Sequence, residues 1–221
     1  MALVMYDLDG TLLDTAGEIT DAVNRTLALY GQPAVDEAQV RTWIGHGTAW
    51  LMKQAWLTTE HIPELAWDEV MNCFIQHYID SVGTTSQLYP FVRETLLKMK
   101  EKGIKQAVIT NKEQQFTDRL LKKHDLADVF DLVISGDTLA VRKPNPEVIH
   151  YCLNTLLETA DNSLFVGDSA IDIATAKSAG VLCWAVPYGY NAGNDIRLAN
   201  PDRLIDDIRT VPDFFTEITA D

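Results

Sequence analysis

The sequence predicts an α/β fold: a doubly wound parallel sheet with an all-helical segment inserted after the first strand. Three observations carry this. Five short, mostly apolar runs lack the polar alternation of a half-exposed strand, so each is expected to be buried on both faces. The later runs alternate with helical patterns, which is the crossover that parallel strands require. The interval between the first and second runs holds only helical patterns and is too long for one crossover helix.

Ala2–Met5 is the first strand and runs straight into Asp7-Leu8-Asp9-Gly10-Thr11. Helical patterns occupy Glu18–Tyr30, Glu37–Trp43, Thr48–Leu57 and Glu64–Ser81. After them come a helix over Phe91–Lys102, a strand over Gln106–Thr110 and a helix over Glu113–His124. A strand over Leu132–Ser135, a helix over Pro146–Leu157 and a strand over Ser163–Val166 come next. A helix over Ala170–Ala179 and a strand over Leu182–Val186 complete the pattern. Gly103 and Gly180 stand where helix C-caps are expected. Residues 1–14 and 88–221 are thus expected to form the sheet core and residues 15–87 a helical unit, hinged at Asp14–Gly17 and Gln87–Pro90.

Composition excludes some functions. With 18 basic and 32 acidic residues the net charge is -14, and no basic footprint for nucleic acid is visible. Cys73, Cys152 and Cys183 are far apart without metal-ligand spacing, as expected of free thiols in a reducing compartment. Met1–Met5 lacks a basic leader region, and no uncharged apolar stretch is long enough to span a membrane. A cytoplasmic protein without membrane or nucleic-acid partners, monomeric or homodimeric, is expected.

In open parallel sheets, ligands bind at the carboxyl ends of the strands. The residues that fall there are Asp7 and Asp9, then Thr110, Asn111 and Lys112, then Gly167, Asp168 and Ser169, with Lys143 in the loop after the third strand. Asp7 and Asp9, two apart, project the same way and repel unless a cation or shared proton intervenes. Mg²⁺ held by hard oxygen ligands fits that need and brings a phosphate with it. Asp7 is the expected nucleophile on phosphorus, forming an acyl phosphate. Asp9 is the expected acid and base. The metal ligands are expected from Asp7, Asp9 (through its backbone carbonyl) and Asp168, with Asp172 ligating or orienting waters. Lys143 would neutralise Asp7 and a phosphoryl oxygen, and the Thr110 hydroxyl and Asn111 N–H would hold equatorial oxygens. Singly, each piece is equally a solvated turn, a helix entry or an acidic N-terminal turn. Their order along successive strand ends is what points to phosphate chemistry.

These residues resemble the four motifs of the haloacid dehalogenase superfamily, over essentially the whole chain: Asp7 to Thr11, Thr110, Lys143, and Gly167-Asp168-Ser169 with Asp172. The resemblance implies a Rossmann-like core, aspartyl-phosphate chemistry with Mg²⁺, and a helical cap after strand one. Asp9 points to its phosphatase branch. Finer features are similar to the bacterial phosphoglycolate phosphatases: Trp43-Ile44-Gly45-His46-Gly47, Leu88-Tyr89-Pro90, Thr110-Asn111-Lys112 and Tyr188-Gly189-Tyr190-Asn191. They imply a small phosphorylated organic acid, 2-phosphoglycolate, as substrate, with Gly45, His46 and Gly47 as a substrate-binding loop. The chain departs from that pattern at His46, and at Phe91, where glycine is expected.

The alternatives are a sugar-phosphate phosphatase or phosphomutase of the same fold and, outside enzymes, a phosphate-responsive binding module. Trp43, Trp50, Trp56 and Trp67 are expected to pack in the helical unit, and Tyr188–Asn191 to close over the site edge or form a plain surface loop.

Overall fold

The structure, a computed structural model, describes residues 2–58 and 67–218. Strand β1 (Leu3–Tyr6) leads to a two-residue strand β2 (Leu13–Asp14). Four helices come next, α1 (Ala16–Leu29), α2 (Glu37–Arg41), α3 (Thr48–Leu57) and α4 (Trp67–Ser81), and then β3 (Gln87–Leu88). Strands and helices alternate from there: α5 (Val92–Glu101), β4 (Lys105–Ile109), α6 (Gln114–Lys123), β5 (Leu132–Ile134) and α7 (Glu147–Leu156). The chain continues through β6 (Ser163–Gly167), α8 (Ala170–Ser178), β7 (Leu182–Ala185), β8 (Arg203–Leu204) and α9 (Val211–Ile218). Of the expected helix Glu64–Ser81, the part before Trp67 lies outside the described residues, as does His61.

Six strands pair in parallel in the order β5-β4-β1-β6-β7-β8. Side chains alternate across a strand, and both faces are buried here. Leu3, Met5 and Phe165 pack beneath α7 and α8 with Ile149, Cys152 and Ile173. Val4, Tyr6, Val108 and Val166 pack on the other face with Leu96, Leu120, Val211 and Phe214. The chain leaves β1 toward β4 and returns to its other side with β6, so strand order reverses at β1. That reversal opens a crevice at the strands' carboxyl ends, where Asp7 and Asp9 emerge.

The helical insert has its own apolar centre, built from Ile19, Val23, Leu27, Met52, Trp56, Phe74 and Tyr78, and it closes onto Phe116 and Tyr190 of the sheet body. Trp56 is buried there, while Trp67 is exposed and is not part of that centre, because it opens α4. Where hinges were expected, β2 and β3 form an antiparallel pair, Leu13 opposite Leu88 and Asp14 opposite Gln87, tying the two connections to each other.

The sequence reading missed β8 and α9. Each is short, and β8 is an exposed edge strand of only two residues. Phe91 takes a left-handed conformation (φ 66°) before α5, a position where a non-glycine residue costs about 1–2 kcal/mol. The Arg209 guanidinium lies 3.7 Å from its ring centroid, a compensating contact. Among the described residues, no helix is long and apolar enough to cross a membrane.

Candidate active site

Asp7 extends β1 by one more ladder bond, its N–H donating to the Val166 carbonyl at 3.0 Å, so its carboxylate is anchored at the sheet edge. Gly10 turns the chain with φ 89°, and a Cβ there would meet Asp168 Oδ2 at 2.2 Å. Only glycine satisfies both demands. Thr11, one residue on, donates its hydroxyl to Asp168 Oδ1 at 2.8 Å.

Asp7, Asp168 and Asp172 are all buried, with one carboxylate oxygen from each lying within 4.8 Å of the others. Lys143 lies among them, Nζ 2.8 Å from Asp7 Oδ1 and 2.7 Å from Asp172 Oδ1. Burial opposes the Lys143 charge, but Asp172 and Asp7 outweigh it and hold the ammonium above its ordinary range. Burial pushes the Asp7 carboxyl up to about 7, against the pull of Lys143 and with the help of Asp172. Asp168 is raised well above its ordinary value by burial and then by its two acidic neighbours. One lysine thus leaves the three acids under-neutralised. Crowded hard oxygens in that state suit a divalent cation such as Mg²⁺.

The acids are not equivalent. Asp172 Oδ2 accepts from the Ser169 N–H (3.0 Å), the Ser169 hydroxyl (2.7 Å) and the Asp168 N–H (3.2 Å), closing a capping box on α8. With Lys143 on Oδ1, both Asp172 oxygens are engaged. Asp168 keeps its place through Thr11 and through the Tyr190 N–H, 2.7 Å from Oδ2. The Tyr188–Asn191 segment therefore reaches the site edge.

Asp9 was expected to work beside Asp7, and its side chain stands apart from the three-acid cluster. Its Oδ1 accepts from the Thr15 hydroxyl at 2.6 Å and its Oδ2 pairs with Lys112 Nζ at 2.9 Å. Lys112 was expected at the carboxyl end of its strand, beside Thr110 and Asn111. It is buried there and also donates to the Tyr78 hydroxyl of α4 at 2.6 Å. Burial opposes its charge, and Asp9 is the main group restoring it.

Three successive residues after Thr110 reach the insert. Asn111 Nδ2 donates to the carbonyls of Gly45 and Lys143, both at 2.9 Å. Lys112 meets Tyr78, and Glu113 accepts the Thr48 hydroxyl at 2.5 Å. Thr110 itself is buried on the wall of a cavity at the strand ends.

Asp7, Asp9, Thr110, Asn111, Lys143, Asp172, Gly45 and Gly47 line that cavity, and the insert adds Ile19, Ile44, Leu51 and Phe74. Two expected residues do not: Asp168, held by Thr11 and the Tyr190 N–H, and His46, which is exposed and packs at a tilt against Trp50, ring centroids 4.4 Å apart. Its flanking glycines have φ of 114° and 88°, so backbone rather than imidazole forms this wall.

Sequence reasoning placed Tyr190 in a segment closing over the site edge or forming a plain surface loop, and named no partner for its hydroxyl. Its hydroxyl accepts from the Thr15 and Ala16 N–H groups (2.8 and 3.1 Å) and donates to Asp14 (2.8 Å). Asp14 in turn pairs with Arg41 at 2.8 Å. No local pattern announces such a contact, because its partners lie more than 170 residues away in sequence.

Comparison with known proteins agrees with this geometry. The family model described as haloacid dehalogenase-like hydrolase matches residues 4–186. The chain is 40% identical over 210 residues to phosphoglycolate phosphatase 1 of Pseudomonas aeruginosa, covering 94% of this chain and 77% of that one. It is 38% identical to phosphoglycolate phosphatase of Vibrio cholerae, covering 95% and 94%. A crystal structure of a predicted phosphoglycolate phosphatase from Haemophilus somnus superposes with a TM-score of 0.93 at 30% identity, covering 99% of this chain and 98% of that one. The chain belongs to the haloacid dehalogenase-like hydrolases.

Proposed function

We propose that this phosphoric monoester hydrolase is Mg²⁺-dependent, works through an aspartyl-phosphate on Asp7, and hydrolyses 2-phosphoglycolate to glycolate and phosphate. The observation that carries the chemistry is the Lys143 ammonium held between Asp7 and Asp172 beside a third buried acid. The named relatives support the substrate.

Asp7 and Asp168 would hold the cation, with Asp172 supporting them from behind. The ion would offset repulsion between a carboxylate nucleophile and a phosphate dianion. Asp7 attacks phosphorus, the P–O bond to glycolate breaks, and Asp9 delivers a proton to the departing oxygen. Water then gives one of its own protons to Asp9 and attacks phosphorus, breaking the bond to Asp7 and freeing phosphate. Lys143 and Thr110 hold the phosphoryl oxygens throughout. Thr15 and Lys112 fix the Asp9 carboxylate on the shared cavity wall. The helical insert serves as the cap, and its contacts with Asn111, Lys112 and Glu113 keep bulk water out.

The test is phosphate release from a panel of phosphomonoesters with and without MgCl₂. The expected result is Mg²⁺-dependent turnover with the highest kcat/KM on 2-phosphoglycolate. Equal or better turnover of sugar phosphates would overturn the substrate, and full activity in excess chelator would overturn the metal.

A further inference from the structure

Most cations around the cavity already have an acidic partner. Lys143 has Asp7 and Asp172, Lys112 has Asp9, and Arg41 has Asp14 and Glu37. Arg142, adjacent to Lys143 in the chain, differs. Among the described residues, no ion pair or side-chain hydrogen bond engages its guanidinium.

Its position is set by the insert loop. A Cβ on Gly47 would fall 2.7 Å from Arg142 Nη1 and 3.6 Å from the Asn111 carbonyl oxygen. Gly47 and Asn111 both line the cavity. The guanidinium therefore stands at the seam where the insert meets the strand ends, open to water and bordering the cavity wall. Gly47 combines a φ of 88° with the missing Cβ that leaves Arg142 this room.

Of the rest of the insert wall, Ile19, Ile44, Leu51 and Phe74 are apolar, the Thr48 hydroxyl is given to Glu113, and the Tyr78 hydroxyl already accepts from Lys112. His46 is a poor substitute. Partial burial and then the Arg142 charge hold its imidazole below the ordinary range, which disfavours the cationic form.

A phosphorylated short acid carries charge at both ends. With its phosphate among Asp7, Thr110 and Lys143, the far carboxylate leaves bulk water and needs a donor. A guanidinium fork matches a carboxylate in two parallel hydrogen bonds. We infer that Arg142 is the specificity-determining residue of this site, receiving at the Gly47 seam the second anionic group of the substrate, a carboxylate. This rests on the phosphatase function proposed for the same site.

The experiment compares 2-phosphoglycolate with ethyl phosphate, the same two-carbon ester without the carboxylate, in wild type, Arg142→Met and Arg142→Lys. Because Arg142 is exposed, thermal melts are expected to show all three folded. In Arg142→Met the selectivity ratio, kcat/KM for 2-phosphoglycolate over ethyl phosphate, falls about 10- to 100-fold, the range of a charge-assisted hydrogen bond, and mainly through KM. Arg142→Lys recovers part of it. If wild type prefers 2-phosphoglycolate and Arg142→Met keeps that preference, the role of Arg142 is overturned and the substrate stands. If wild type prefers an ester with a different second anion and Arg142→Met loses that preference, the substrate falls and the role of Arg142 as anion receptor stands. A wild-type preference for ethyl phosphate overturns both.

Discussion

Lys112 and Asp9 form an ion pair of 2.9 Å with only 4% and 10% of their side-chain surfaces exposed. Removing one partner strands the other. Lys112→Met is expected to destabilise the protein by about 3 kcal/mol, the lower end for breaking a buried pair, and to cut turnover about tenfold or more. Adding Asp9→Asn to that variant should restore much of the stability and none of the activity. Urea unfolding of the two singles and the double reads the coupling. Additive losses would mean that the pair is not coupled.

Asp7 as nucleophile predicts a sharper loss. Asp7→Asn keeps the shape of the side chain and removes its charge, so kcat should fall about 10³-fold or more. Hydroxylamine should trap an acyl phosphate on the wild-type chain during turnover and none on the variant. Residual turnover near wild type would assign the attack to water or another group.

The acid cluster makes stability depend on pH in a definite direction. Below 3.8, the ordinary value, the Asp7 carboxyl is protonated in both the folded and unfolded chains. As pH rises the unfolded chain ionises first, because the folded value is about 7. The metal-free protein therefore loses stability between these two values, and Asp168 acts in the same direction. Millimolar MgCl₂ competes with those protons, so its increase in Tm should be larger at about pH 7.5 than at about pH 5. Differential scanning fluorimetry at the two pH values, with EDTA controls, reads this. A larger gain on the acid side would exclude the cluster as the cation site.

Tyr190→Phe keeps the ring in the insert's apolar cluster and deletes a hydroxyl that serves Thr15, Ala16 and Asp14. The Thr15 N–H loses its acceptor and the Ala16 N–H keeps only its longer bond to Asp14 at 3.3 Å, so a loss of about 1–3 kcal/mol is expected in chemical denaturation. Hydrogen exchange at Thr15 and Ala16 should rise well above that of the β1 amides. Uniform protection across both segments would show that the hydroxyl does not anchor α1.

The expected strands fall within a residue or so of the observed ones because a strand buried on both faces must be apolar throughout, a property of local sequence. The helices of the insert were legible by the same logic, from one apolar stripe each. Short pieces were not. Two-residue strands such as β2, β3 and β8 carry no periodicity, and they exist because a partner is already in place. Phe91 was legible as a departure, and only its φ of 66° and the Arg209 contact give that departure a physical meaning.

The site divides along the same line. By itself the sequence determined which residue types leave each strand end, since β1, β4 and β6 deliver only the residues next to them in the chain: Asp7, Thr110 and Asp168. Tertiary structure decided what each one touches. It occupied both oxygens of Asp172 with Lys143 and Ser169, drew Asp9 to Lys112 and Thr15, and turned His46 outward. It also brought Thr11 to Asp168 across 157 residues and Arg142 to Gly47. A carboxylate takes the nearest donor in space, and nearness between distant segments is set by how the sheet and the insert pack, not by the local chain.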